Sequence, residues 1–260
     1  MTWALKRQII FIIVLIVTLG VIVFFIVAPH IDNIPTCSDG KQNGDETGVD
    51  CGGSCSNQCL YEVDQVSILW ARAFKVVKGR YNAVAYLENH NPTSAIRNIS
   101  YRFRFADENN IYIGKREGKT TIPASGKFAV FEPAIDFGNS IPVYVSFEFT
   151  ETPFWVKAPE EKLNEVKVFV SDLELKNENT DPYLSAVIKN NSLFIIPEVD
   201  IVVILYDKDG NAITSSRTYL EQLDRGESKE ISFTWPSPFN EKVVASEIIP
   251  IYDIFLTKLK

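Results

Sequence analysis

Ile99-Ser100-Tyr101-Arg102-Phe103-Arg104-Phe105-Ala106-Asp107 and, one hundred positions later, Val199-Asp200-Ile201-Val202-Val203-Ile204-Leu205-Tyr206-Asp207 are the two stretches that decide the fold. In the first, Ile99, Tyr101, Phe103 and Phe105 alternate with Ser100, Arg102 and Arg104, the period-two pattern of a strand with one face in a core and one in water. Val143, Val145, Phe147 and Phe149 alternate with Tyr144, Ser146, Glu148 and Thr150 in the same way. Working outward, Gly126 is matched by Gly226 at the same offset and Asn89 by Asn190 with one residue inserted near the Asn-rich loop, so the spacing holds from 99 to 126 across strand and turn. Short alternating runs separated by Asn, Asp, Gly and Pro clusters fill the chain from Tyr61 onward, and no long helical period interrupts them. The reading is two copies of one all-β fold, 63–157 and 163–260, joined by the linker-like Ala158-Pro159-Glu160-Glu161-Lys162. About seven short strands per copy predict tandem immunoglobulin-like antiparallel β-sandwiches.

Ahead of the strands lies a different composition. From Ile9 to Val27 every residue except Thr18 and Gly20 is Ile, Leu, Val or Phe. A helix over 9–28 spans roughly 30 Å, the thickness of a hydrocarbon core. Its insertion is favourable by about 5 to 10 kcal/mol, with no charge opposing it. The apolar run exceeds the roughly 7–15 residues of a signal-peptide h-region, and no A-x-A site follows, so an uncleaved anchor is expected. Lys6 and Arg7 precede it, and the next base is Lys41. The positive-inside rule then keeps residues 1–8 in the cytoplasm and places 29–260 outside the plasma membrane.

The collar, 29–62, is acidic and rich in cysteine. Seven acids between residues 31 and 64 face the single base Lys41, which accounts for most of the net charge of −7. That sign argues against a nucleic-acid binder. Cys37, Cys51, Cys55 and Cys59 form an even set in an oxidising compartment, so two disulfides are expected, with three pairings open. Their spacing departs from paired zinc knuckles. Asp39, Asn43, Gly44, Asp45 and Asp50 occupy positions 1, 5, 6, 7 and 12 of a loop that partly imitates an EF-hand, while Lys41 fills position 3. Asp39, Asn43, Asp45 and Asp50 are therefore candidate calcium ligands, the alternative being a solvated acidic turn.

The run Cys37-Ser-Asp-Gly-Lys-Gln-Asn-Gly-Asp-Glu-Thr-Gly-Val-Asp-Cys-Gly-Gly-Ser-Cys55 resembles a short cysteine-rich segment that recurs in bacterial cell-surface proteins. It implies an exported, surface-associated setting. Val203-Ile204-Leu205-Tyr206-Asp207, with Asp209-Gly210 after it and Ile188-Lys189-Asn190-Asn191-Ser192 before it, resembles the FxLYD domain of bacterial envelope proteins. Val203 stands where that family usually has Phe; the first copy keeps Phe103 and Asp107 but has Phe105 and Ala106 in place of Leu and Tyr. This resemblance implies a sandwich outside the cytoplasm, a binding or structural module without known catalysis.

Catalytic signals are thin. His30 lies at the membrane boundary and His90 in an Asn-rich loop, and no nucleotide-binding, dinucleotide or H-E-x-x-H motif is present. The sequons at Asn98 and Asn190 read as ordinary strand and loop residues. No enzyme, small-molecule substrate or cofactor beyond calcium is expected. One asymmetry remains. Opposite the core face, the first copy has Ser100, Arg102 and Arg104, but the second has Val202, Ile204 and Tyr206, preceded by Phe194, Ile195 and Ile196. Such a face needs a cover. Either the C-terminal Ile251, Tyr252, Ile254 and Phe255 or the first domain supplies it, or it is a surface for a protein partner or self-association. The functional expectation is a non-enzymatic structural or protein-interaction component of the cell envelope; the alternative is an adhesive or ligand-binding ectodomain assisted by calcium.

Overall fold

The computed structural model describes residues 3–31 and 36–259. The first two residues of the expected cytoplasmic tail, residues 32–35 of the collar, the His30 side chain and Lys260 lie outside the described residues. The chain divides into two compact units, residues 1–55 and 56–260.

In the first unit, α1 runs Trp3–Ile31. It starts earlier than the apolar run, so Lys6 and Arg7 ride on its first turns, and the Arg7 guanidinium sits 4.5 Å over the Trp3 ring one turn back. Trp3–Val27 is long and apolar enough to cross a membrane. Its lone hydroxyl is satisfied within the helix, Thr18 Oγ1 donating to the Val14 carbonyl at 2.9 Å. Residues 36–55 form turns around the Cys37–Cys55 disulfide. Cys51 and Cys59 are disulfide-bonded as well.

The second unit is all-β and antiparallel. Its first half contains β1 (Ser67–Val77), β2 (Arg80–Asn89), β3 (Ser94–Ala106), β4 (Tyr112–Ile122), β5 (Gly126–Asp136), β6 (Tyr144–Phe149) and β7 (Val156–Lys157). A short helix, α2 (Glu160–Glu165), occupies the expected linker. The second half contains β8 (Val168–Lys176), β9 (Tyr183–Asn190), β10 (Phe194–Tyr206), β11 (Ala212–Leu223), β12 (Ser228–Thr234), β13 (Ala245–Ile251) and β14 (Lys258–Leu259). Sheets β1-β2-β5 and β4-β3-β6 make the first sandwich, with β7 also on β3; sheets β8-β9-β12 and β11-β10-β13 make the second, with β14 on β10. Residues 56–58, counted with the collar on sequence, belong to the first sandwich. The Lys157 N–H donates to the Ser56 carbonyl at 2.7 Å and the Gln58 N–H to the Trp155 carbonyl at 3.0 Å.

Alternation fills each core. Ile99, Tyr101, Phe103 and Phe105 point inward from β3 and meet Leu87, Phe128 and Phe147. Aromatic packing is dense there, the Phe103 and Phe147 rings lying 4.9 Å apart edge to face. The second core is aliphatic, built on Val199, Ile201, Val203 and Leu205 with Leu184, Ile188 and Phe233. A third cluster joins the halves. Phe74, Val84, Tyr86, Ala129 and Phe131, from the outer face of β1-β2-β5, pack on Val202, Ile204, Ala212, Ile249 and Ile251, from the outer face of β11-β10-β13. Strands β2 and β10 are thus buried on both faces, which is why Ala83-Val84-Ala85-Tyr86-Leu87 is apolar without alternation.

Candidate functional site

Three places carry polar chemistry: the collar, the loops held by buried asparagines, and the contact between the sandwiches. In the collar, Asp50 accepts from the backbone N–H groups of Asp39 and Gly40 at 2.9 and 3.0 Å. Asp39 accepts from the Lys41 N–H at 2.9 Å and from Asn43 Nδ2 at 2.8 Å, and Asp45 accepts from Ser54 Oγ at 2.7 Å. The Asn43 bond holds Asp39 below the usual carboxylate range, and the Ser54 bond does the same for Asp45. Of the expected calcium ligands, Asp39, Asp45 and Asp50 thus brace a turn with their oxygens, whereas Asn43 donates through Nδ2 and its buried Oδ1 has no hydrogen-bond partner among the described residues. Gly53 closes it at φ +56°, where a Cβ would collide with the Asp45 carbonyl. Among the described residues, the cluster with metal-ligand spacing is Cys37, Glu46 and Cys55, and the disulfide consumes both of its sulfurs.

Asn89 and Asn190 occupy equivalent loops and are 1% and 0% exposed. Asn190 Nδ2 donates to the carbonyls of Phe194, Leu223 and Asp224 at 2.7, 3.2 and 3.0 Å, while its Oδ1 accepts from the Ser192 N–H and hydroxyl. Asn89 does likewise with the Ser94 and Pro123 carbonyls and the Asn91 N–H. Each amide pins two loops, so the sequon at Asn190 is sealed inside the fold, whereas Asn98 is exposed. Asp107 and Asp207 cap the two hairpins, each Oδ1 accepting two N–H bonds from the turn. His90 Nε2 lies 3.1 Å from Ser67 Oγ at the exposed rim of the first sandwich. No carboxylate accepts a hydrogen bond from that ring among the described residues.

The sandwich contact decides between the covers expected for the second domain's apolar face, in favour of the first domain and Ile251 and against a partner surface. Phe194 and Ile196 belong to the second core, Ile195 is half-buried beside Lys258 of β14, and Val202, Ile204 and Tyr206 lie under the first sandwich. This is not a free partner surface, because the first domain and Ile251 bury it. The hydroxyls of Tyr86 and Tyr206, from opposite sandwiches, both donate to the Glu247 carboxylate, at 2.7 and 3.0 Å. Burial, then the glutamate's charge and hydrogen bonds, pushes both phenols far above their ordinary range. Arg72 Nη1 donates to the Ala212 carbonyl and Asn82 Nδ2 to the Ser215 carbonyl, both at 3.3 Å. Phe74, Tyr86, Phe131 and Glu247 were not singled out on sequence. The unbroken apolar run at 83–87 is the signal that marks their sheet as covered on both sides.

A cleft of about 420 Å³ opens beside this contact, between Lys75 and Asn82 on one wall and Asp207, Asn211, Trp235 and Glu241 on the other. Asn82 and Asp207 are committed to structural bonds, Asn82 Oδ1 accepting from the Ala134 N–H at 2.9 Å.

No family model matches the chain, and a search of curated proteins returns no match. Among solved structures, red sea bream transglutaminase is similar over 74% of this chain and 30% of its own, with 10% identity and a TM-score of 0.26. A Bacteroides uniformis β-glucuronidase is similar over 72% of this chain and 28% of its own, with 11% identity and a TM-score of 0.19. The N-terminal tandem CBM22 domain of a Paenibacillus barcinonensis protein is similar over 72% and 83%, with 8% identity and a TM-score of 0.17. The chain thus spans about a third or less of the first two structures it matches, and likeness at this level carries no argument about activity.

Proposed function

We propose that the chain is a single-pass membrane protein with a cytoplasmic N-terminus, and that the residues after α1 form a non-enzymatic structural or interaction module of the cell envelope. The observation that carries this reading is the buried apolar contact between the sandwiches, cross-linked by Tyr86, Tyr206 and Glu247. It makes a stiff two-part body from a chain that also carries an apolar helix and a disulfide-braced collar. Basic residues ahead of α1 support the orientation, and the FxLYD resemblance, with two copies of one fold, supports the envelope setting. Against a calcium-assisted ligand binder stands the use of Asp39, Asp45 and Asp50 as acceptors for N–H and O–H groups of their own turn.

The test is a membrane-impermeant amine-reactive crosslinker applied to native membranes. Lys115 and Lys229 should react and Lys6 should not, and adducts should join the ectodomain to another protein. Labelling of Lys6 alone would reverse the orientation. Full labelling without adducts would remove the interaction role.

A further inference from the structure

The segment ahead of the first strand is used differently in the two sandwiches. In the second, Val166 closes α2 into the core at 5% exposure. Lys162 Nζ donates to the carbonyls of Ile254, Phe255 and Thr257 at 3.3, 3.3 and 2.7 Å and stands over the Phe194 ring. That lysine staples the chain after β13 across the end of its sandwich. In the first sandwich the corresponding pieces are joined through backbone instead, the Lys157 N–H donating to the Ser56 carbonyl and the Gln58 N–H to the Trp155 carbonyl, and no lysine side chain crosses them among the described residues. Leu60 opens a single helical turn and is 56% exposed, and Phe154, in the segment after β6, is 62% exposed. Beside Leu60 lies a groove of about 760 Å³ walled by Val63, Val66, Ile68 and Phe149. Core side chains Ile122, Phe147 and Trp155 form its floor.

Charge at the rim is one-sided. Asp64, Glu148 and Glu151 line the groove, and among the described residues no basic one does. Glu148 is paired with Arg102 and Arg104, but Asp64 and Glu151 have no ion pair among the described residues. Backbone donation from Ser100 holds the Glu151 carboxyl below its usual range, so it is charged at neutral pH.

We propose that this groove is the docking site for a short apolar segment of a partner protein carrying lysine or arginine, its apolar side chains on the walls and its cation at the acidic rim. The inference rests on the reading of the chain as an interaction module and names the chemistry of what it binds.

The experiment titrates the full chain, held in amphipol, with a short fluorescent peptide of Leu, Val and Lys, and with a matched peptide bearing Glu for Lys. The lysine peptide should bind saturably at one site, and the glutamate peptide should not. Asp64→Lys combined with Glu151→Gln should weaken binding roughly tenfold or more. Ile68→Glu, at a half-exposed wall position, should do the same, while Glu108→Lys on a distant hairpin should not. Equal affinity for both peptides, indifference to the groove variants, or no saturable binding would each overturn the proposal. So would sedimentation that finds dimers dissolved by Ile68→Glu, since the occupant would then be a second copy. Crosslinked partners without peptide binding would remove the groove and leave the interaction module standing. Peptide binding without crosslinked partners would do the reverse.

Discussion

The two sandwiches share a strand order and differ in which outer face is apolar. On the sheet around β3, Arg102 lies opposite Glu117 and Glu148; at the same register on β10, Val202 lies opposite Arg217 and Ile249. On the other sheet the chemistry is inverted. The cross-strand pairs Val84–Phe131 and Tyr86–Ala129 of the first sandwich become Ser185–Ser232 and Val187–Glu230 in the second. Each copy therefore offers one sticky face, and the sticky faces belong to different sheets. That is a head-to-tail contact, the kind that propagates without limit if every copy has both faces. The two remaining outer faces carry polar pairs such as Arg102–Glu117 and Ser185–Ser232, the chemistry of the capping repeats of a solenoid. A few substitutions on a common frame decide whether sandwiches stack or stay apart.

The harshest way to break this comparison is to make the second copy resemble the first. Ile204→Asp puts an unpaired charge at a position that is 0% exposed, between the sandwiches. The cost should be about 3–5 kcal/mol. Denaturation of the full chain in detergent should then split from one transition into two, because the sandwiches no longer support each other. A single unchanged transition would mean that the contact contributes nothing.

Next come the buried asparagines, which test how alike the copies are. Asn190→Ala strands three carbonyls and Asn89→Ala two, so losses of about 3 and 2 kcal/mol are expected. Denaturant midpoints should rank the two variants in that order. A reversed order would show that the amides do different work in the two loops.

Much of the architecture was legible in the sequence because alternation is a strong signal where one face is wet. The register of β3 and β10, the hairpin aspartates and the apolar helix all follow from such patterns. The collar geometry did not, since a carboxylate spacing that fits an ion fits a set of backbone N–H donors equally well. Asp39 and Asp50 took the donors. The cover of Val202 and Ile204 was legible only as a choice among the C-terminal segment, the first domain and a partner. Nothing local to β10 names the sheet that lies on it, and the matching signal at 83–87 sits more than a hundred residues away. Pairing two doubly buried strands requires both to be read together.

The tyrosine–glutamate contact sharpens the comparison further, because its donors come from both copies. Tyr86→Phe removes one donor to a charged acceptor and should cost about 1.5 kcal/mol. The phenols of Tyr86 and Tyr206 are raised above their unfolded value of about 10. Their contribution is therefore full below pH 10 and is lost as pH rises toward the folded value. Unfolding followed by tyrosine absorbance should steepen above pH 10 in the wild type and less so in the Tyr86→Phe chain. Equal slopes would place the alkaline sensitivity elsewhere, with Tyr101, which donates to Glu132 at 2.7 Å inside the first sandwich, as the next group to replace.

The smallest effect should come from the face that lets the first copy stay wet. Arg102 meets Glu117 at 2.6 Å and Glu148 at 3.2 Å, on a surface open to solvent and salt. Exposed pairs of this kind add little, because water and ions screen them and ordering two long side chains offsets the attraction. Arg102→Ala should leave the melt nearly unchanged at physiological salt. Arg102→Val with Arg104→Ile, which copies the apolar face of β10, should be equally harmless to folding yet make the full chain self-associate in sedimentation. If that double variant stays monodisperse, the polar outer face is not what ends the stack, and the stopping device must lie in the shape of the second sandwich's β8-β9-β12 sheet.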